Sequence, residues 1–135
     1  MSNASTIKYS SGAGVDWAAL LAGLGLGLTV AMQVTTMTRA DVSSVYAAIT
    51  SFSRLCALVG TYFAILGIFL IARIPFVERG VGHDSLVTWH RKLAPYSLFL
   101  IGFHVIFVVV GYAGQNQIPL YKELWNVLSL SLIHI

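Results

Sequence analysis

Two histidines, His90 and His104, stand 14 residues apart in a stretch otherwise dominated by Leu, Ile, Val, Phe and small residues. If that stretch is helical, about 100° per residue brings the second ring to within about 40° of the first after roughly four turns. The rings then share a face and are separated by about 21 Å at about 1.5 Å per residue. Ala94 and Ser97 lie on that face between them. Small side chains there leave room for a flat group to approach the helix. An imidazole inside an apolar segment costs free energy and marks a candidate functional site. Two of them, set most of a bilayer apart, point to axial ligation of two stacked haem irons, whose potentials respond to ligand identity and burial. The competing reading is a pair of hydrogen-bonded structural histidines, which would be preferred for one histidine alone. Zinc fits less well, because it needs several ligands converging on one point.

Arg54 stands at the outer margin of another apolar stretch, on the level expected for His104. A guanidinium there serves either a haem propionate, through a charge-assisted bond, or the lipid headgroups, by snorkelling; the residues leave both open. Arg73, Arg91 and Lys92 near His90 are partners for inner propionates or ordinary flank charges. His83 lies among charged residues and reads as a solvated loop histidine. The single cysteine, Cys56, permits no disulfide framework. It reads as a buried small apolar side chain.

The elements that must position these residues are membrane spans. The chain is 57% hydrophobic and 10% charged, where soluble domains carry about 25% charged residues. Its apolar residues fall in blocks long enough to cross a bilayer, which takes roughly 20 residues. Such blocks must be helices, since every backbone polar group has to be satisfied internally. The net charge of +3 comes from loops and forms no nucleic-acid-binding stripe.

Residues 1–14 read as a flexible leader, and the first span covers about 15–34. A signal peptide is disfavoured because Asp16 directly precedes the apolar run and no convincing small-residue cleavage site follows. Ala19, Gly23 and Gly27 place small residues on one face for close helix packing. The second span covers about 45–74, and Pro75 with the charged turn Phe76–Asp84 ends it. The third covers about 85–112, with Asp84 as the expected N-cap and a kink expected at Pro95. Residues 111–119 read as a loop, and a fourth segment starts over 121–129. The fold class is therefore an all-α membrane protein with three complete transmembrane helices and the start of a fourth.

Arg73, Arg79, Arg91 and Lys92 flank one side of the membrane, against Arg39 and Lys122 on the other. The positive-inside rule then places the N-terminus in the cytoplasm. The expected location is the plasma membrane of a bacterium. Residues 130–135 (LSLIHI) match the translation of a transposon end used in preparing sequencing libraries. The expectation is an adapter-derived tail, so His134 is not counted as a ligand and residues 15–129 form the partial domain.

The stretch IARIPFVERGVGHDSLVTWHRKLAPYSLFLIGFHVIFVVVGYA resembles the ferric reductase-like transmembrane domain. That superfamily includes ferric reductases, NADPH oxidases and bacterial ferredoxin-reductase-type membrane proteins. The resemblance covers about residues 45–127, and its most specific element is WHRK with His90 followed by GFH with His104. RLCALVG resembles the place where NADPH oxidases set an arginine beside the outer haem, which favours the propionate role for Arg54. The resemblance implies a six-helix bundle holding two b-type haems, each taking one histidine from helix three and one from helix five. It also implies a following FAD- and NAD(P)H-binding domain. Electrons would pass from NAD(P)H to FAD, to the inner haem at His90, to the outer haem at His104 and on to ferric iron or dioxygen outside. Helices five and six and the flavin domain have no counterpart in these 135 residues. The function is thus expected of a parent protein, and the fragment alone is expected to be inactive. Two alternatives remain: a haem-binding subunit like that feeding a periplasmic methionine sulfoxide reductase, and a structural bundle without haem.

Overall fold

A computed structural model describes residues 12–133 of the chain, with side chains described through Leu130. Most of the expected leader (residues 1–11) and His134 lie outside the described residues. Helix α1 spans Gly12–Thr36, so the last three leader positions are helical. A 3-10 turn at Arg39–Val42 leads to α2, Val45–Ile71. Then come α3, Pro75–Val81, and α4, His83–Asn116, and finally α5, Leu120–Ile133. No strand occurs among the described residues. The helices α1, α2 and α4 are long and apolar enough to cross a membrane. Their 25, 27 and 34 residues give lengths of about 38, 40 and 51 Å, against a hydrocarbon core of about 30 Å. The chain is an integral membrane protein.

Local chemistry explains where the helices stop. The Ser44 hydroxyl accepts the Ala47 amide hydrogen at 3.1 Å and caps α2. At the other end Arg73 adopts φ 50°, and Ile74 is held extended by the proline that follows it. Pro75 occupies the first turn of α3, where its missing amide hydrogen costs nothing. The expected charged turn is therefore mostly a short helix. Gly82, at φ 87° and ψ 138°, separates α3 from α4. That backbone conformation favours glycine, and it starts α4 at His83. Asp84 is consequently not the N-cap; it lies in the first turn, where its charge complements the helix dipole. The residues read as a loop from Gly111 are helical through Asn116, and Gln117 closes α4 in a left-handed conformation.

The central unit is the antiparallel pair α2 and α4. Its buried residues are mostly small or polar: Thr50, Ser51, Ser53, Cys56, Gly60 and Gly67 on α2, with Ser97, Gly111 and Ala113 on α4 beside the larger Leu86 and Val109. Large apolar side chains such as Leu98 and Phe99 point outward. This inverts the pattern of a soluble protein, because lipid solvates apolar surface and helices associate through small residues and hydrogen bonds. Gly111 lies against Thr50, and Gly114 against Tyr46, so these glycines are contact points of a helix rather than loop residues. Helix α1 joins through the Tyr62 hydroxyl, which donates to the Ala22 carbonyl at 2.6 Å. A Cβ at Gly25 would lie 2.6 Å from that hydroxyl. The face expected to pack, Ala19, Gly23 and Gly27, is not the one used: Gly23 and Gly27 have open space within 4 Å.

Candidate functional site

The two candidate histidines are placed by one repeated contact between α4 and α2. His90 Nδ1 is 3.0 Å from the Gly67 carbonyl oxygen. The Ser97 hydroxyl donates to the Gly60 carbonyl at 3.0 Å. His104 Nδ1 is 3.0 Å from the Ser53 carbonyl oxygen. The three partners step by seven residues along each helix in opposite directions. A seven-residue step keeps one seam facing a neighbouring helix, as in coiled-coil packing. Each link spends an α4 side chain on a backbone carbonyl of α2, which already accepts within its own helix through one of two lone pairs.

The links define the tautomer of each neutral ring. A carbonyl oxygen accepts and cannot donate, so Nδ1 carries the hydrogen in each imidazole. In the neutral ring Nε2 then bears the lone pair. No hydrogen bond to either Nε2 forms among the described residues, and neither atom is buried without a partner. Neither Nε2 is therefore committed to a partner among the described residues. A metal-binding histidine commonly donates its other ring hydrogen to a carbonyl in this manner, which sets tautomer and ring orientation.

The face between the histidines serves a different purpose from that expected. Ser97 is buried and held by α2, so the small residue admits the neighbouring helix rather than a flat group. Ser53, Gly60 and Gly67 were not identified from the residue pattern, although their spacing matches that of His90, Ser97 and His104. Among the described residues no group of three or more His, Cys, Asp or Glu is gathered as a metal site. Each histidine therefore stands as a single potential ligand.

Toward the N-terminal end of α2, Arg54 follows Ser53 and so lies close to the His104 level. Its Nη1 pairs with Asp41 Oδ1 at 3.0 Å, with the arginine side chain half exposed. Asp41 also accepts the Thr38 amide at 2.9 Å and the Thr38 hydroxyl at 2.7 Å through Oδ2. The Ser51 hydroxyl donates to the Asp41 main-chain oxygen at 3.0 Å. These bonds tie the 3-10 turn to the start of α2. The Thr38 hydrogen bonds, assisted by Arg54, hold the Asp41 carboxyl below its ordinary value of 3.8.

At the opposite end of the α2–α4 pair, His83 lies in the first turn of α4 rather than in a loop, and its Nδ1 is 3.5 Å from Glu78 Oε1. Both side chains are accessible, in keeping with a solvated histidine. An apolar cavity of about 500 Å³ lies between α1, α2, α3 and α4, bordered by Ala22, Tyr62, Phe69, Val77, Leu86 and Trp89. Near His104, Phe107 stacks on Phe103 with centroids 5.7 Å apart and meets Phe52 edge-on at 5.7 Å.

Residues 56–133 match the family model described as ferric reductase like transmembrane component. No curated protein and no solved structure gives a significant match. The match spans more than half of the chain, which therefore belongs to the ferric reductase-like transmembrane family.

Proposed function

We propose that this member of the family forms part of a membrane oxidoreductase that carries electrons across the bilayer through two stacked b-type haems. His90 is the axial ligand on the cytoplasmic side and His104 the ligand on the outer side. The observation that supports this best is the shared state of the two rings: each Nδ1 hydrogen is committed to an α2 carbonyl, leaving an Nε2 lone pair with no hydrogen-bond partner among the described residues. A purely structural histidine needs no free nitrogen, and two with the same arrangement on one seam fit paired ligation. The donor set also fits the group, since imidazole is a common axial ligand and a single histidine per helix level suffices when a second comes from elsewhere. When bound, each haem iron accepts and releases one electron.

The chain's own residues supply orientation and exclusion. The Gly67 and Ser53 carbonyls hold the rings in one tautomer and stop them rotating about χ2. Ser97 keeps the helices in register between them. Phe52, Phe103 and Phe107 keep the outer level apolar, which raises the weight of every nearby charge. Arg54 donates one N–H to Asp41 and has four more, enough for a haem propionate at the same level. In this reading the second histidine for each iron, FAD and the NAD(P)H site come from parts of the parent protein outside these 135 residues. The external acceptor is ferric iron or dioxygen.

The test uses the parent protein reconstituted into sealed vesicles with a ferric acceptor trapped inside and a membrane-impermeant reductant outside. Transfer across the bilayer is expected in the wild type and lost in both His90→Ala and His104→Ala. Wild-type rates in either variant would refute the pathway.

A further inference from the structure

The two histidine sites are alike except in one respect. Nδ1 of His90 meets the Gly67 carbonyl only. Nδ1 of His104 meets the Ser53 carbonyl at 3.0 Å and also the Ser53 hydroxyl oxygen at 2.9 Å. That hydroxyl is 3.0 Å from the main-chain oxygen of His104 itself. The roles follow from what each atom is able to do. The His104 carbonyl only accepts, so the serine hydroxyl donates its hydrogen there. Nδ1 already carries a hydrogen, so the hydroxyl oxygen accepts from it. Ser53 thus closes a small ring in which Nδ1–H is shared between two oxygens. A hydroxyl that donates is also polarised into a better acceptor. Ser53 is fully buried, so no solvent competes for these bonds.

We propose that Ser53 is a positioning residue that makes the outer imidazole a stronger electron donor than the inner one, lowering the potential of the outer iron relative to what a carbonyl partner alone would set. This rests on the haem ligation proposed above. An imidazole whose Nδ1 hydrogen is pulled toward more acceptors gains basicity at Nε2. A more basic ligand stabilises the ferric state over the ferrous state. No proton leaves the ring, and the hydroxyl hydrogen stays on the His104 carbonyl.

The helix repeat supplies a matched experiment, because Gly67 occupies on α2 the place of Ser53 one double heptad along. A Cβ built on Gly67 would lie 3.5 Å from His90 Nδ1 and 3.8 Å from Cε1. Those are ordinary van der Waals contacts, so the Cβ of Gly67→Ser is accommodated beside the inner ring and brings a hydroxyl to its neighbourhood.

Redox titration of the haem-loaded parent protein reads the effect. Ser53→Ala is expected to raise the outer midpoint potential by the equivalent of a threefold to tenfold shift in the reduction equilibrium, about 30–60 mV at about 59 mV per decade. The inner potential stays in place. Gly67→Ser is expected to lower the inner potential and leave the outer one unmoved. Unchanged potentials in both variants, or equal shifts of both haems in Ser53→Ala, would overturn the proposal while leaving haem ligation intact. A wild type that binds no haem would overturn the ligation and this proposal with it. A second readout needs no haem. In the ¹⁵N-histidine-labelled chain in micelles, the Nδ1–H proton of His104 should move upfield in Ser53→Ala while that of His90 stays fixed. An unmoved His104 signal would remove the hydrogen bond on which the inference stands.

Discussion

Replacing Gly60 with alanine tests whether close contact of α2 and α4 holds the histidines in place. A methyl built at Gly60 would lie 3.0 Å from Ile101 Cγ1, 3.1 Å from Leu100 Cβ and 3.2 Å from the Ile101 main-chain nitrogen. Ile101 Cγ1 can swing away, but the main-chain nitrogen and Leu100 Cβ are fixed to α4. The two helices must therefore separate by a few tenths of an ångström. Overpacking of this kind costs about 1–3 kcal/mol. The Ser97 hydrogen bond to the Gly60 carbonyl stretches with it, and interhelical hydrogen bonds in membranes average about 0.6 kcal/mol. Alanine offsets up to about 1 kcal/mol through its higher helix propensity. The net expectation is a loss of about 1–2 kcal/mol. Unfolding in mixed micelles of rising SDS content, followed by circular dichroism, measures it against Gly23→Ala. Gly23 has open space around it, so that control should be neutral or slightly stabilising. If Gly60→Ala proves as stable as the Gly23→Ala control, the α2–α4 contact is looser than this reasoning requires.

Tyr62→Phe removes the hydroxyl bond to the Ala22 carbonyl and should weaken the attachment of α1 by about 0.6 kcal/mol, at most about 1.7 kcal/mol. The same SDS titration reads that loss, while the haem signals of the parent protein should stay in place. Asp41 predicts a pH effect of defined sign. Its folded-state carboxyl lies below 3.8, so its contribution is present above that value and is lost as pH falls through the lower folded value. Hydrogen exchange at the Thr38 amide should accelerate as pH drops below 3.8, after correction for intrinsic rates. Asp41→Asn should abolish that step.

The fold was largely legible because the bilayer leaves few options. Long apolar runs must be helices, and three such helices form. What failed was local. Asp84 has the chemistry of a cap, but the cap position is set by Gly82, whose positive φ ends α3 one residue before α4 begins. Gly111 and Gly114 have the chemistry of a loop, yet they are places where Thr50 and Tyr46 come against α4. In a soluble helix those glycines would weaken the segment; at a membrane contact they permit it. Small residues occur along α1 at Gly14 and Gly25 as well as at Ala19, Gly23 and Gly27, and only the contacts with Gly80 and Tyr62 show which of them face a neighbour. For the candidate site, the common face of His90 and His104 followed from their spacing alone. Their partners did not, because a carbonyl acceptor carries no residue signature. Only the matched seven-residue steps of Ser53, Gly60 and Gly67 against His90, Ser97 and His104 hold that information, and they acquire meaning once α2 and α4 are known to run antiparallel. Asp41 as the partner of Arg54 was equally hidden, since 13 residues and a turn separate them.

The most direct measurement is haem stoichiometry in the purified parent protein, by pyridine haemochrome absorbance against protein concentration. Two haems b per chain are expected in the wild type, with His90→Ala losing the inner one and His104→Ala the outer one. Two haems retained in both variants would contradict the assignment of these histidines as the iron ligands.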